Sequence, residues 1–249
     1  MDLNADLGEH DGDGYSGDIA LLDIVTSASI ACGAHAGSPE VMRTTVRAAA
    51  ERGVVIGAHP GYRDRAGFGR REIAMPPASL AAEIVAQVRA LASCCADIGA
   101  RLRYVKPHGA LYNAAARDPG VALTIAVAVR DIDPSLAVLA LPGSALHAEA
   151  SELGLAVARE AFIDRAYADD GSLLPRDRDG AVIDDAVVAS DRALVMVRER
   201  VVRSVNGAVL SVDPDSLCIH SDNANALAIL RATRSRLEAA GFTCASFAR

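Results

Sequence analysis

Short apolar runs rich in β-branched residues alternate along this chain with longer stretches whose apolar positions recur at helical spacing. The short runs predict buried strands, and the longer stretches predict amphipathic helices. The predicted strands are Asp2–Asp6, Ser27–Cys32, Val54–Ala58, Leu102–Lys106, Ala137–Leu141, Leu155–Ala158 and Leu217–His220. The predicted helices are Pro39–Arg52, Ser79–Ile98, Pro119–Asp131, Ala145–Leu153, Asp185–Ser204 and Ala224–Ala240. This alternation is typical of βα units around a parallel sheet.

The number of predicted units bears on the type of α/β fold. About seven units, with no linker-like tract between them, favour a single domain over residues 1–249 that forms a TIM-like (β/α) barrel. A doubly wound open sheet is the competing arrangement. Before the last strand, Val205–Asp215 carries Asn-Gly between apolar runs and predicts a small hairpin.

Polar residues follow the predicted strands, at the end where a parallel barrel holds its active site. Four of the six histidines end such strands, namely His35, His59, His108 and His220. A single histidine at a strand end is usually a structural residue whose hydrogen bonds are satisfied. Four are harder to explain by packing, because each buried imidazole needs hydrogen-bond partners and Leu or Val would stabilise a core more. We therefore predict a shared catalytic site. The other candidates at strand ends are Asn4, Asp6, Glu9, Lys106 and Asp222.

Arginine and lysine are used very unequally, since Lys106 is the sole lysine among 25 basic residues. Arginine cannot replace a compact amine that loses its proton when buried, so we predict a functional role for Lys106. The segment Gly61–Arg71 is predicted to be a mobile loop, and its Arg70 and Arg71 are candidates for binding a carboxylate or phosphate. A later cluster is predicted to line the same site or to pair internally: Glu160, Asp164 and Arg165.

The charge balance narrows the range of partners. With 32 acidic and 25 basic residues, the formal net charge is −7, which argues against binding to nucleic acid or to an anionic membrane as the main function. Tryptophan is absent and aromatic residues make up 4% of the chain, so an aromatic platform for nucleic acid or polysaccharide is not expected. A small-molecule substrate and protein partners remain.

The cysteines and the start of the chain bear on localisation. Five cysteines without C-x-x-C spacing indicate neither a disulfide framework nor a zinc ribbon. The first residues lack a basic region followed by an apolar stretch, and no uninterrupted apolar run reaches about 18 residues. We predict a cytoplasmic protein.

Common catalytic motifs are missing from the sequence. It contains no G-x-x-x-x-G-K-[ST], no H-E-x-x-H and no G-x-S-x-G, and its one G-x-G-x-x-G, at Gly12–Gly17, does not directly follow a predicted strand. The chain therefore lacks the local motifs by which a P-loop ATPase, a dinucleotide dehydrogenase, a zincin or an α/β-hydrolase works. If the protein uses ATP, it does so with other machinery or with a partner.

Six longer motifs occur in order along the chain. They are DLNADLGE at Asp2–Glu9, SASIACGAHAG at Ser27–Gly37, IGAHPGY at Ile56–Tyr62, GFGRR at Gly67–Arg71, VKPHGALYN at Val105–Asn113 and EAFIDRAYADDGSLLPR at Glu160–Arg176. Together with LCIHSD at Leu217–Asp222, they resemble the family of 5-oxoprolinase A subunits, also called LamB/YcsF. The resemblance covers essentially the whole chain. The departures from the family pattern leave the ionisable residues in place and affect pocket shape: Ala5, Ser29, Ala34, Ser38 and Ser221.

The resemblance implies a barrel like that of glycoside hydrolases and sugar-polymer deacetylases. It also implies hydrolysis of 5-oxo-L-proline to L-glutamate, with ATP as co-substrate and with 5-oxoprolinase subunits B and C as partners. In that reaction Lys106 is expected to stabilise negative charge on the reacting oxygen, and Asp6 or His108 to accept a proton from water. Arg70 or Arg71 would hold the substrate carboxylate. The full set of expected substrate-binding residues is Asn4, Glu9, His35, His59, Arg70, Arg71, Glu160, Asp164, Arg165, His220 and Asp222.

Two other functions fit the same residues. A metal-dependent amidase or deacetylase is one, with Asp6, His35, His59 and His108 as ligands of a divalent ion. A non-catalytic substrate-binding subunit is the other, although binding alone rarely needs so many ionisable residues. The sequence leaves open whether a metal is used.

Overall fold

Seven parallel strands form a closed barrel in the computed structural model, which describes residues 1–10 and 15–248. The strands follow the order β1, β2, β3, β4, β5, β6 and β9, and the barrel closes because β9 pairs with both β1 and β6. This confirms the predicted TIM-like barrel against the open sheet. The barrel strands are β1 Asp2–Leu7, β2 Ser27–Ala31, β3 Val55–His59, β4 Leu102–Val105, β5 Ala137–Ala140, β6 Val157–Phe162 and β9 Ser216–His220.

Helices follow most of these strands. They are α1 Tyr15–Leu22, α2 Pro39–Glu51, α3 Pro77–Ala96, α4 Gly109–Arg117, α5 Pro119–Ile132, α6 Ala145–Glu152, α7 Ala186–Arg198 and α8 Ala226–Ala239. The sequence did not predict α1 or α4. Each is short, and α4 begins inside the VKPHGALYN motif, whose polar residues indicated only the end of a strand.

The sixth strand was misplaced, and the error affects the site. It runs over Val157–Phe162 instead of Leu155–Ala158, so Glu160 lies within the strand and not after it. Leu155 instead closes the preceding helix, since its amide donates to the Ala150 carbonyl at 3.0 Å after Gly154 adopts a φ of 77°. This is a usual way for a helix to end at glycine.

The predicted hairpin exists but begins earlier than expected. Strand β7, Val201–Arg203, pairs antiparallel with β8, Val209–Ser211, whereas Asp185–Ser204 was predicted to be helical throughout. Helix α7 ends at Arg198, and Arg200 has a φ of 58°, which the helix cannot accommodate. The β-branched residues after it then favour a strand.

Strand β1 shows how the barrel separates its polar and apolar residues. Its sequence, DLNADL, alternates polar and apolar side chains, yet every residue is buried. Leu3 and Leu7 belong to the main hydrophobic core together with helical residues such as Ile84. Asn4 instead donates to Ser216 Oγ at 2.7 Å and to Glu160 Oε1 at 3.3 Å on neighbouring strands. The polar face of β1 thus contributes to a hydrogen-bonded barrel interior, on which the site is built.

Helix α3 is, within residues 1–10 and 15–248, the one helix whose length and mean hydropathy of 1.3 would allow it to cross a membrane. Its buried residues include Leu80, Ile84, Val88 and Leu91, all part of the main hydrophobic core. Packing within the barrel accounts for these apolar side chains.

Gly57 on β3 lies against the ring of Tyr104, so Gly57→Ala is expected to lower the free energy of unfolding by about 1–3 kcal/mol. A Cβ at this position would lie 2.2 Å from Tyr104 Cε2, and that ring is fully buried with its hydroxyl 3.1 Å from Ser29 Oγ. Urea denaturation measures the effect. Gly17→Ala in α1 is the control, because among the described residues its added Cβ would meet no atom within 4 Å apart from its chain neighbours and the backbone of its own helix. An unchanged stability for Gly57→Ala would show that Tyr104 does not occupy this place.

Candidate active site

A cavity of about 870 Å³ opens at the carboxyl ends of the barrel strands. Its wall combines ionisable residues with apolar ones such as Phe162 and Leu141. The ionisable residues in the wall include Asp6, Glu9, His59, Arg70, Lys106, His108, Arg165, Arg176, His220 and Asp222.

Lys106 lies directly after β4 and extends into the barrel interior. Its Nζ lies 2.8 Å from Asp6 Oδ1 and 2.8 Å from Glu160 Oε1, and it donates to Cys218 Sγ at 3.0 Å. Burial by itself would lower the pKa of Lys106, but attraction to these carboxylates raises it well above its usual range. The side chain is 2% exposed and therefore presents a fixed positive charge beneath the cavity.

Asp6 is held between two cationic or proton-bearing neighbours. One oxygen contacts Lys106, and Oδ2 lies 3.3 Å from His59 Nε2. Burial alone would raise the pKa of Asp6, but His59 and Lys106 together hold it well below its usual range. Asp6 is thus a carboxylate at neutral pH.

Glu9 lies at the centre of three imidazoles. Its Oε1 lies 3.0 Å from His35 Nε2, 3.1 Å from His108 Nδ1 and 3.8 Å from His59 Nε2. The rings of His35 and His108 stack with centroids 3.7 Å apart. Burial opposes ionisation of Glu9, but hydrogen bonds from His108 and His35 hold its pKa well below its usual range. Burial lowers the pKa of His35 to about 4, which leaves that ring neutral.

Gly69 allows the chain to pass closely over these rings. It has a φ of 62°, and a Cβ on it would lie 2.8 Å from both His35 Cβ and His108 Cδ2. Its carbonyl accepts from the Ala110 amide at 2.9 Å. The predicted loop Gly61–Arg71 therefore contains an ordered turn, including a short 3-10 helix at Arg65–Gly67.

His220 ends β9 and pairs with an acidic residue. Its Nδ1 lies 3.0 Å from Asp164 Oδ1, and its backbone amide donates to Asp164 Oδ2 at 3.1 Å. The ring also stacks on Phe162 at 5.4 Å. Burial would raise the pKa of Asp164, but His220 lowers it, so Asp164 is ionised and orients the imidazole. This leaves Nε2 of His220 as the ring nitrogen available to a molecule in the cavity.

Four arginines occupy the cavity wall, and one of them, Arg117, pairs with Glu72. Arg70 pairs with Asp222, and Arg176 lies 3.2 Å from the same carboxylate. Arg165 is largely buried and donates to the Ala181 carbonyl at 3.3 Å. Burial and the charge of Arg176 lower the pKa of Arg165 to about 10, so it keeps its charge at neutral pH.

Comparison with known proteins decides the family. The LamB/YcsF family model matches residues 1–249. The chain belongs to the LamB/YcsF family. A relative from Streptomyces avermitilis, named as the A subunit of 5-oxoprolinase, is 49% identical over 249 residues, which is 100% of both chains.

Solved structures agree with this membership. The crystal structure of a lactam utilization protein from Thermus thermophilus is 44% identical, with a TM-score of 0.92 over 99% of both chains. The catalytic domain of a peptidoglycan N-acetylglucosamine deacetylase from Eubacterium rectale has a TM-score of 0.52 over 98% of this chain and 87% of its own, at 10% identity. That second likeness concerns the fold alone, and it confirms the expected deacetylase-like barrel.

In this LamB/YcsF protein the strand-end residues converge as the sequence predicted. Most line the cavity itself, while a few lie one layer behind it: Asn4, His35, Glu160 and Asp164. Arg71 lies outside the cavity wall, because its guanidinium pairs with Asp64 and its side chain is 67% exposed. The roles assigned to these residues remain predictions.

Sequence reasoning missed several residues of the cavity and its floor. Cys218 contacts Lys106 from within β9, and Arg176 ends the sixth motif without having been chosen as a site residue. Phe162 supports His220, and Tyr112 lines the cavity from α4. Arg176 carried a usable signal, since it is the charged end of a long family motif.

Proposed function

We propose that this chain is the substrate-binding and catalytic subunit of an ATP-dependent 5-oxoprolinase, which opens the lactam of 5-oxo-L-proline to give L-glutamate. Family membership and the relative named as the A subunit of 5-oxoprolinase support the proposal. The observation that carries it is the distribution of charge in the cavity. The buried ammonium of Lys106 lies beneath it, and Arg70 and Arg176 lie in its wall.

The two groups of positive charge suit the two polar ends of such a substrate. As water adds to the lactam carbon, negative charge is carried by the lactam oxygen or by the phosphoryl group attached to it, and a fixed ammonium such as that of Lys106 stabilises this charge without rearrangement. The substrate also carries a carboxylate, which matches the planar guanidinium of Arg70 or Arg176. ATP would phosphorylate the lactam oxygen and release ADP, since the closed five-membered ring resists simple hydrolysis. Water then adds to the activated carbon, the C–N bond breaks with the ring nitrogen leaving as the amine, and a second water releases phosphate from the resulting acyl phosphate.

His220 is the residue that we propose to accept the proton from water. The sequence suggested Asp6 or His108, but the pKa of Asp6 is held low, which makes it a weak base. Both ring nitrogens of His108 already have partners, at Phe68 O and at His59 Nε2. His220 combines an orienting carboxylate, Asp164, with a second nitrogen available to the cavity. This arrangement is typical of general bases.

The isolated chain is expected to release no glutamate from 5-oxoproline and ATP, whereas the chain with 5-oxoprolinase subunits B and C should do so. The expectation follows from the lack of a phosphate-binding loop in the sequence. A coupled assay of glutamate and ADP measures both arms. ATP-dependent turnover by the isolated chain would contradict the expectation that ATP use requires the partner subunits. Glutamate release without ATP would instead favour an amidase.

Arg70→Gln is expected to raise the KM for 5-oxoproline about 10- to 100-fold, because a charged hydrogen bond to the substrate carboxylate is lost. Arg71→Gln is the matched control from the neighbouring position, and its KM should stay close to that of the parent. Steady-state kinetics of the assembled enzyme measure both. Equal effects of the two substitutions would remove Arg70 from substrate binding.

The proposal also places the enzyme in the cytoplasm, where ATP is available. All five cysteines are free, and four of them are buried. Free thiols are usual in a reducing compartment.

A further inference from the structure

Arg165 is a charged residue of the cavity wall to which the proposed mechanism gives no role. It lines the cavity although it is only 6% exposed. Its Nε donates to the Ala181 carbonyl at 3.3 Å, and its Nη2 donates to the Leu174 carbonyl. Both partners are neutral, and in the part of the chain that the structure describes no carboxylate forms an ion pair with this guanidinium. A buried charge without a counterion is costly, so Arg165 is suited to an anion supplied by a ligand.

The nearby carboxylates are engaged elsewhere. Asp164 directs one oxygen to Nδ1 of His220 and the other to the backbone amide of the same residue. Asp222 pairs with Arg70 and with Arg176. Two further acidic residues of the cavity wall are exposed to solvent: Asp170 and Asp177.

Positive charge is therefore concentrated in this part of the wall. Arg70, Arg165 and Arg176 all line the cavity, and Asp222 pairs with two of them. Burial lowers the pKa of Arg165 to about 10, and the charges of Arg176 and Arg70 add to this effect. The guanidiniums thus lie close enough to repel one another, and an anion among them would relieve this repulsion.

One nitrogen of Arg165 remains for a ligand. Nε and Nη2 donate to backbone carbonyls, whereas Nη1 has no hydrogen-bond partner within residues 1–10 and 15–248. The two carbonyls belong to the segment after β6, and an antiparallel bridge between Arg165 and Val182 ties this segment together. A guanidinium held in this way is already oriented before an anion arrives.

We propose that Arg165, together with Arg176, binds the phosphoryl group that ATP transfers to the lactam oxygen. This inference rests on the proposed function. A phosphoryl group carries a charge of about −1.5 to −2 at pH 7 and three acceptor oxygens, which several guanidiniums match. The group stays on the same oxygen when the C–N bond breaks, so one site serves both the phosphorylated lactam and the acyl phosphate.

The size of the cavity also favours a second anionic group beside the substrate carboxylate. Its volume is about 870 Å³. Pockets of roughly 300–1,000 Å³ hold drug-sized ligands, whereas 5-oxoproline is a single five-membered ring with one carboxylate. Arg70 can hold that carboxylate, which leaves Arg165 and Arg176 for the phosphoryl group.

Titration of the isolated full-length chain with inorganic phosphate, followed by phosphorus NMR, tests the site without ATP, 5-oxoproline or partners. The parent is expected to bind phosphate, and Arg165→Gln to bind it at least tenfold more weakly, because a charged hydrogen bond is lost. Arg176→Gln should weaken binding about two- to fivefold, as is typical of a partly exposed charge pair. Arg178→Gln is the control and should bind as the parent does, since Arg178 is exposed and lies outside the cavity wall.

Arg165→Gln keeps an amide donor for the backbone carbonyls, and circular dichroism establishes whether this variant is folded. If it is not, the comparison of Arg176→Gln with Arg178→Gln still tests the site. Failure of the parent to bind phosphate would overturn the proposal, and so would equal binding by the parent and both cavity variants.

Two further ligands test which group the site accepts. Acetate should bind much more weakly than phosphate, and equal binding would overturn the proposal, because the site would then take the substrate carboxylate. A non-hydrolysable ATP analogue should bind no more tightly than phosphate, and much tighter binding would place the nucleotide itself in the cavity. A chain that binds phosphate through Arg165, but whose assembled enzyme releases no glutamate, would keep the anion site and refute the proposed function.

Discussion

Replacing Lys106 with methionine is expected to lower the kcat of ATP-dependent 5-oxoproline hydrolysis about 100- to 1000-fold in the assembled enzyme. Methionine keeps much of the length and apolar volume of the side chain but removes its charge. The ammonium is fixed by Asp6 and Glu160 at 2.8 Å each, so it is already in place before negative charge develops on the substrate. Glutamate release with saturating partners and substrate measures kcat directly.

The matched control makes the same kind of change away from the cavity. Arg198→Met replaces an exposed cation in the last turn of α7, and its kcat should equal that of the parent. A Lys106→Met variant that is folded, binds its partners and turns over at a near-normal rate would remove the sole lysine from the mechanism.

Strand-end positions could be predicted from the sequence because they depend on local pattern. An apolar run followed by a histidine indicates a strand and its end, and parallel strands bring such ends to one face of a barrel. His35, His59, His108 and His220 were found in this way, and the structure brings all four to the same end.

Residues that contribute from inside a strand gave no comparable signal. Cys218 lies in the middle of β9 and has the character of a core residue, yet its sulfur contacts Lys106. The sequence pointed to Glu160 but placed it after the sixth strand. The apolar pattern alone does not show where the turn at Gly154 ends and where β6 begins. Pairing of β6 with β9 places Glu160 inside the barrel.

The choice between neighbouring arginines also depends on tertiary structure. Arg70 and Arg71 are adjacent and chemically identical, and nothing local distinguishes them. In the fold, Asp222 from beyond β9 pairs with Arg70 at the cavity, whereas Asp64 pairs with Arg71 outside it. Asp222 lies 152 residues from Arg70 in the sequence, so no local pattern could reveal this partner.

Lys106→Met is also expected to lower the free energy of unfolding by about 3–5 kcal/mol, as is typical when one partner of a buried ion pair is removed. The substitution leaves the carboxylates of Asp6 and Glu160 buried without their ammonium, and the two acidic side chains are at most 4% exposed. Urea denaturation of the chain without its partners measures this loss separately from kcat. Arg198→Met again serves as the control and should change stability little, because it is a surface substitution.

A second substitution separates the effect of Lys106 on stability from its effect on catalysis. Glu160→Gln removes one of the two carboxylates that Lys106→Met leaves unpaired, while keeping the side-chain volume. The double variant Lys106→Met/Glu160→Gln should therefore lose about 0.5–3 kcal/mol less unfolding free energy than the losses of the two single variants added together. The double variant should nevertheless keep the low kcat, since the ammonium is still missing. Additive losses of stability would mean that Lys106 and Glu160 do not interact energetically despite the 2.8 Å contact between them. Recovery of kcat in the double variant would instead show that Lys106 acts only by holding the barrel interior together.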